Sequence, residues 1–457
     1  MKTKHYFIVL SLVIIYTISS CQKFLDIMPS TGNVNPSTLK DFQEMLNSDS
    51  IARCNFILAD LMADDLSFPA LARNEYYGNA YMYAQHIWGP GEMDFMYKSA
   101  YERILQMNIL ILKAAEVKPK NEDEQKGLAI AIAQAKVNRA WYFLQLANIY
   151  GQDYTNGKAA TELAIPISLI PDASVKPKRG TVQEVYTLII KELNEAIATE
   201  DFPVMGNTII HPGKASALAL LSRTHLLMGN YAEALKSADE CLALKSSLLN
   251  YQTLTAAPLN LLDQSRNPEV LLGKTGVDHD LNLTYSFRIQ ISKSLDSLLT
   301  SSDFRRRINF DYYDVFANQD GKYNFNYSIA VPEVMLIKAE CLARTGKPKE
   351  ALPILNLLRK NRIENSTDLV IADGEILKTV LEERRRELFC HGGLRLFDLK
   401  RLNREERFSK NIVRSFYDNY NYQDTTVAII KPNSPRYLME IAPLITNNNP
   451  DIKPNPR

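Results

Sequence analysis

The sequence predicts a mainly α fold in which tetratricopeptide-like helix pairs stack into a superhelix, interrupted by long irregular loops and a few short strands. Three observations predict it. Apolar residues return at three- and four-residue steps over much of the chain, a seven-residue string recurs at two helix-pair junctions, and strand-like alternation is confined to short pieces such as Thr425 to Ile430.

The best-formed helix opens at Thr181, where Glu184 three residues on completes the spacing of a capping box. Val182, Val185, Tyr186, Ile189, Ile190, Leu193 and Ile197 then share one face for burial. Ile104, Leu105, Ile109, Leu112 and Ala115 mark a second helix ahead of a turn at KPKNEDEQKG, residues 118–127. Val137, Ala140, Trp141, Leu144 and Ala147 mark a third, ending near Gly151. The recurring strings are GNYAEAL at 229–235 and GKPKEAL at 346–352, each following an Ala- and Leu-rich segment. Gly229 and Gly346 suit a helix C-terminus, because a left-handed backbone carries no Cβ strain at glycine. Ala234 and Ala351 are small enough to let two helices approach closely. Such pairs bury their apolar faces only by stacking, so at least two further pairs are expected around residues 95–150.

At the N-terminus, Lys2 and Lys4 precede an apolar run from Tyr6 to Ile18, then Ser19, Ser20 and Cys21. The run is shorter than the about 20 residues a membrane-crossing helix requires, and it reads as an export signal over residues 1–20. The tetrapeptide ISSC at 18–21 resembles the lipobox of bacterial lipoproteins, in which the Cys21 thiol receives diacylglycerol; an ordinary cleaved signal is the alternative. Two or more acyl chains anchor durably, since each buried methylene contributes about 0.8 kcal/mol. Residues 21–457 are expected to form one domain, with helix pairs over 95–250 and 331–402 and irregular segments over 40–94, 152–180, 252–330 and 403–457.

Composition narrows the function. Lys and Arg number 53 against 52 Asp and Glu, a net charge of +1 that offers no polycationic face to nucleic acid. Cys54, Cys241, Cys341 and Cys390 are widely separated and lack C-x-x-C spacing, so no metal, redox or cofactor framework is expected. Cys241 and Cys341 fall at helical apolar positions and are expected to be buried free thiols, although an exported compartment permits a disulfide. HExxH, GxSxG and P-loop motifs are missing from the sequence, and no spacing singles out the two carboxylates a glycosidase uses. The charged run Glu382 to Asp398 reads as structural pairing, Glu382 with Arg386 four residues on, and Arg395 and Asp398 with their neighbours. Asp278-His279-Asp280 is either a solvated loop or a place for a hard cation such as calcium.

The segments between helices carry the better functional signal, because long loops on a rigid scaffold are where binding residues concentrate. Residues 252–330 set Tyr285, Phe287, Tyr312, Tyr313, Tyr323, Phe325 and Tyr327 in a background of Asn, Asp and Ser. Residues 74–101 are denser still in aromatics. A sugar ring presents an apolar C–H face from which a flat aromatic displaces water, while nearby polar groups take up the hydroxyls. Tyr76, Tyr77, Tyr81, Tyr83 and Trp88 are the stacking candidates, Asn74 a polar neighbour, and Asp65 and Asp64 either line the same rim or cap a turn. Tyr97 and Tyr101 are expected in helix packing. The Asn- and Pro-rich tail NNNPDIKPNPR at 447–457 reads as extended chain over the surface.

These pieces occur in an order that resembles the SusD/RagB family of outer-membrane nutrient-uptake lipoproteins. The resemblance is carried by CQKFLD at 21–26, VNRAWYFLQLANIYG at 137–151, LAIPISL at 163–169, VPEVMLIKAECLARTG at 331–346, LEERRRELFCHGGLRLFDLKRL at 381–402 and RYLMEIAPLITNNNP at 436–450. Two departures stand out: His391 occupies the place where the family commonly has Glu before Gly, and Ile441-Ala442-Pro443 replaces its Pro-Ile-Pro. The resemblance implies a non-catalytic lipoprotein, exposed on the cell surface at the outer membrane. It would act as a hinged lid on a TonB-dependent barrel of the SusC type and capture an oligosaccharide or, as in some relatives, an oligopeptide. A surface glycoside hydrolase and a tetratricopeptide scaffold that binds another protein are the competing readings.

Overall fold

An amphipathic helix is stable only against a partner face, and this chain supplies the partners largely in sequence order. The computed structural model describes residues 35–67, 76–172, 174–254, 267–276, 289–309, 326–418 and 423–457. The leader, Cys21, Asn74, the 278–280 cluster, and all the 252–330 aromatics named above except Tyr327 lie outside these residues.

Three short helices come first, α1 (Leu39–Asn47), α2 (Ile57–Met62) and α3 (Tyr76–Tyr81), with strands β1 (Arg53–Cys54) and β2 (Leu66–Ser67) among them. A long hairpin follows, α4 (Phe95–Glu116) and α5 (Glu122–Tyr150). Strands β3 (Leu163–Pro166) and β4 (Arg179–Thr181) lead into α6 (Val182–Ile197), α7 (Lys214–Met228) and α8 (Tyr231–Leu244). After β5 (Val270–Leu272), β6 (Thr275–Gly276), β7 (Gln290–Ile291), α9 (Lys293–Asp296), α10 (Phe304–Asn309) and β8 (Ile329–Ala330), four helices complete the scaffold. They are α11 (Val331–Arg344), α12 (Pro348–Lys360), α13 (Asp373–Glu387) and α14 (Leu394–Leu402). The hairpin β9 (Ile412–Asp418) and β10 (Gln423–Ile430) and the helix α15 (Pro443–Asn448) close the chain.

The stack runs α4 on α5, α5 on α6, α6 on α7, α7 on α8, then α11 across α8, with α12 and α13 against α11. Each step agrees with the sequence chemistry. The Thr181–Glu184 capping box forms, with Glu184 N–H donating to Thr181 Oγ1 at 3.1 Å and Thr181 N–H donating to Glu184 at 2.7 Å. Gly229 ends α7 at φ +79° and Gly346 follows α11 at φ +83°, so both repeated strings mark a left-handed exit from one helix into the next. Ala234 and Ala351 are fully buried at the crossings. Among the described residues the strands form five two-stranded pairs, four antiparallel and one, β1 with β6, parallel. Cys54, Cys241, Cys341 and Cys390 are buried free thiols.

Several expectations need correction. The 40–94 segment, expected to be irregular, holds three helices; α1 has its own capping box, Thr38 with Asp41, but is too short for its periodicity to stand out. The 403–457 segment holds an antiparallel hairpin with a bulge between Thr426 and Ala428, whose second strand contains the expected Thr425–Ile430 piece, and α15. Residues 95–150 form one pair of long helices and not several short ones, because EDEQKG belongs to the first turns of α5, capped by Asn121, whose side chain accepts from Glu124 N–H at 2.8 Å. The buried face of α4 is Ile104, Met107, Leu110 and Ala114, while Leu105 and Leu112 are 44% and 45% exposed. That helix carries apolar residues on two sides, and α1 and α5 cover the side containing Met107.

The tail is also more than surface chain. Asn455 is buried, and its amide donates to Tyr150 O at 2.8 Å and Met439 O at 2.7 Å. Arg179 donates to Asn455 Oδ1 and to Lys453 O, both at 2.7 Å.

The charged motif is a buried ion-pair network centred on α13. Glu383 meets Arg386 at 2.6 Å and Arg305 at 2.7 Å, so the expected Glu382–Arg386 pair is replaced by one at three-residue spacing. Glu387 meets Arg305 and Arg362, both at 2.9 Å, and Arg362 reaches Glu269 at 2.8 Å. Arg384 and Arg401 share Asp398 at 2.8 Å each, and Arg401 also grips Glu340 at 2.5 Å and 2.7 Å. Arg223 forks onto Glu333, tying α7 to α11.

Burial by itself raises Glu340 and Glu383, but the facing arginines outweigh it and hold both carboxyls at about 2, below the ordinary 4.5. A carboxyl depressed on folding contributes stability above its unfolded value, and that contribution is lost as the pH falls through its folded value. Urea midpoints should therefore decline as the pH drops from 4.5 toward 2. Glu340→Gln, which removes the carboxylate that Arg401 and Arg344 share and leaves them only Asp398 and Glu405, should cost about 3 kcal/mol at neutral pH and flatten that decline.

Candidate ligand-binding site

The aromatic segment is positioned by α3, the loop after it and the first turn of α4. Asp94 caps α4: its carboxylate accepts from Tyr97 N–H at 3.0 Å and from the Tyr150 hydroxyl at 2.5 Å, and burial pushes it up to about 7 despite these bonds. The capped turn sets Met93 and Phe95, 38% and 45% exposed, at the surface. Tyr76, half-buried, stacks on Trp88 with ring centroids 5.3 Å apart and planes 23° off parallel, and lies against Tyr77 at 4.0 Å. These rings, with Phe95, Leu58 and Met96, line a small crevice of about 10 Å³.

The candidates divide into an outer and an inner set. Tyr76 keeps surface exposure; Tyr77 and Trp88 are buried directly behind it and support it. Trp88 Nε1–H is already committed to Glu440 O at 3.0 Å, so Trp88 backs the platform and is not itself its outer face.

Tyr81 and Tyr83 are packing residues, a correction to the expectation that they meet a ligand. The Arg414 guanidinium lies 4.3 Å and 5.3 Å from their ring centroids, the Tyr81 hydroxyl donates to Ser415 O, and the Tyr83 hydroxyl donates to Met62 O. Tyr437 packs edge-on to Tyr83, and burial holds the Tyr83 phenol far above its usual range. Tyr83 adopts φ +54°, which turns the chain out of α3 and sends its ring inward. Arg414 completes the arrangement by donating to the carbonyls of Leu61, Met62 and Ala63 at 3.0, 2.8 and 2.9 Å. Tyr97 and Tyr101 pack as expected, centroids 4.5 Å apart, with the Tyr101 hydroxyl donating to Pro166 O.

Asp65 is likewise interior and does not line a rim. Arg385 Nε donates to it at 2.7 Å, yet burial among neighbours that include Asp64 keeps its carboxyl above the ordinary range. Burial also opposes ionisation of Asp64, but Arg395, Arg385 and Lys410 surround it and hold it well below that range. Asp60 sits at the neighbouring turn, where the Gly392 and Gly393 N–H groups donate to its carboxylate at 3.1 Å and 2.8 Å. Both glycines are left-handed, and a Cβ at Gly393 would lie 2.7 Å from that of Ala59. Burial still raises Asp60 to about 8. His391, the departure noted above, bonds through its ring to Phe389 O at 2.9 Å.

With this geometry in place, comparison decides the family. A family model described as starch-binding associating with outer membrane matches residues 23–226, and the SusD family model matches residues 312–457. The chain belongs to the SusD/RagB family. Its fold is that of the solved SusD superfamily structures. One from Bacteroides thetaiotaomicron is 21% identical, with a TM-score of 0.74 over 92% of this chain and 100% of that one. A SusD-like carbohydrate binding protein from Bacteroides vulgatus is 18% identical, with a TM-score of 0.67 over 91% and 98%. A surface glycan-binding protein from Bacteroides fluxus is 16% identical, with a TM-score of 0.68 over 92% and 100%. No curated sequence gives a significant match.

Within this SusD/RagB body, sequence reasoning missed Phe95, Met93 and Glu440. The first two had a local signal, since Asp94 is a helix-capping residue type directly before a helical run. Glu440 had none, because it meets Trp88 from 352 positions away. Tyr83→Phe should lower the unfolding free energy measured by urea titration by about 1 kcal/mol, through the lost bond to Met62 O, and leave ligand affinity unchanged.

Proposed function

We propose that this chain is a surface-exposed outer-membrane lipoprotein that binds oligosaccharide without cleaving it and serves as the lid of a TonB-dependent SusC-type transporter. The observation that carries the reading is the Tyr76–Trp88 stack beside exposed Phe95 and Met93, a rigid aromatic platform on a SusD/RagB body. Solved relatives of the same fold are described as binding carbohydrate or glycan, which favours sugar over peptide as the occupant. An aromatic plane held by a second ring needs little ordering when a sugar ring settles on it. Lid motion requires a tether, and Cys21 followed by the polar segment STGNVNPST at 30–38 supplies the chemistry for one. The barrel, coupled to cellular energy, would carry out transport once the lid closes.

Calorimetric titration of the mature protein with maltohexaose, xylohexaose, mannohexaose and a neutral hexapeptide tests the occupant. The reading expects one of the glycans to bind and to be recovered intact. Tyr76→Ala should then weaken affinity about tenfold, the scale of a lost aromatic contact. Binding of the hexapeptide alone would transfer the role to peptide capture, and release of shorter sugars would make the protein a hydrolase. Separately, palmitate labelling in cells should mark the wild type and not Cys21→Ala. Equal labelling of both would remove the anchor from the proposal.

A further inference from the structure

We infer that Glu440 is a positioning residue for the aromatic face, and that residues 436–440 together with Arg457 act as a clasp that sets the pose of Trp88 and, through it, Tyr76. This rests on the reading of Tyr76 as the ligand platform, but its geometry stands apart from the identity of the ligand.

One buried side chain organises three consecutive residues. Glu440 Oε2 accepts from Ile87 N–H at 2.5 Å and Trp88 N–H at 3.2 Å, Oε1 meets His86 Nδ1 at 3.1 Å, and the Glu440 carbonyl accepts from Trp88 Nε1–H at 3.0 Å. Both the backbone and the indole of Trp88 are thereby fixed to a single residue. With its N–H bound, the indole has one favoured ring orientation, and that orientation lays it parallel to Tyr76. The residues just before Trp88 are held from the same side. Arg457 donates to Ala84 O at 2.8 Å and to Leu438 O at 2.6 Å, and Arg436 donates to Gln85 Oε1 at 3.2 Å and Tyr83 O at 3.4 Å. Asn79 Nδ2 donates to Ile87 O from α3, so the loop is pinned on both flanks.

The residue type matters. The carboxylate gives one oxygen to both amides and the other to His86 Nδ1, and its charge strengthens each bond; glutamine, with its one oxygen on the amides, turns an N–H₂ toward His86 and gives up the charge. Aspartate is one methylene short of the same reach. Glu440 bonds to His86, Ile87 and Trp88, so its effect on binding would pass through Trp88.

The test uses the intact mature protein with Glu440→Ala, Glu440→Gln and a Trp88→Phe control. Trp141, fully buried, contributes a constant fluorescence background that the control isolates. The Trp88 emission should shift to the red and become more accessible to acrylamide in Glu440→Ala. Glu440→Gln should fall between that variant and wild type, with far-UV dichroism unchanged in both. Affinity for whichever of maltohexaose, xylohexaose or mannohexaose the wild type binds should drop about three- to tenfold in Glu440→Ala, because the platform must be re-ordered on binding. Should Glu440→Ala fail to fold, Glu440→Gln decides. Unchanged Trp88 emission and quenching in the folded variants would overturn the positioning role. A wild type that binds none of the three sugars would instead count against the ligand reading and leave the fluorescence result to judge the clasp.

Discussion

The arginine–carboxylate network around α13 is the constraint on which the rest depends. Its charges lie in the interior, where each would be strongly disfavoured alone, and the network is tolerable only because each of its carboxylates, Glu269, Glu333, Glu340, Glu383, Glu387 and Asp398, has a guanidinium facing it. The requirement is global. Arg305 comes from α10, Arg223 from α7, Glu333 and Glu340 from α11, and Asp398 and Arg401 from α14, so the helices must reach their final places together for the charges to match. Apolar helix faces tolerate small slippages, but forked ion pairs do not, and they fix the register of the stack.

The same logic extends from the scaffold to the aromatic face. Asp64 and Asp65 follow directly after α2 and meet Arg385 from α13 and Arg395 from α14, while Asp60 receives the two glycine amides that open α14. Lys400 reaches from α14 to the carbonyls of Asn148 and Gly151 at the end of α5, at 2.7 Å and 2.6 Å. The N-terminal segment that leads into the aromatic region is thus seated on the charged core, and Asp94 bonds the platform's helix to Tyr150 of α5. The exposed rings inherit their rigidity from buried polar contacts several residues away.

What the sequence made legible follows from the range of the forces involved. Capping at Thr181, the left-handed exits at Gly229 and Gly346 and the periodic faces of α5 and α6 are local, and spacing alone reveals them. The seam of charge was visible as composition, and its structural role was clear, but its pairings were not. Arg395 finds Asp64 across 331 positions, and no local pattern encodes that distance. The face of α4 was misread for a related reason, since Leu105 and Met107 are both apolar and only the partner helices decide which is covered. Around the candidate face, aromatic density marked residues 74–101 as a whole and could not separate the half-exposed Tyr76 from the interior Tyr83. That difference lies in a φ of +54° and an arginine from a hairpin far along the chain.

Joining residues 83–88 to residues 436–457 has an entropic consequence. Closing a loop of roughly 350 residues costs an entropy that grows only logarithmically with length, so a distant clasp is nearly as easy to close as a near one. A change within residues 436–457 is therefore felt at Trp88, far back along the chain.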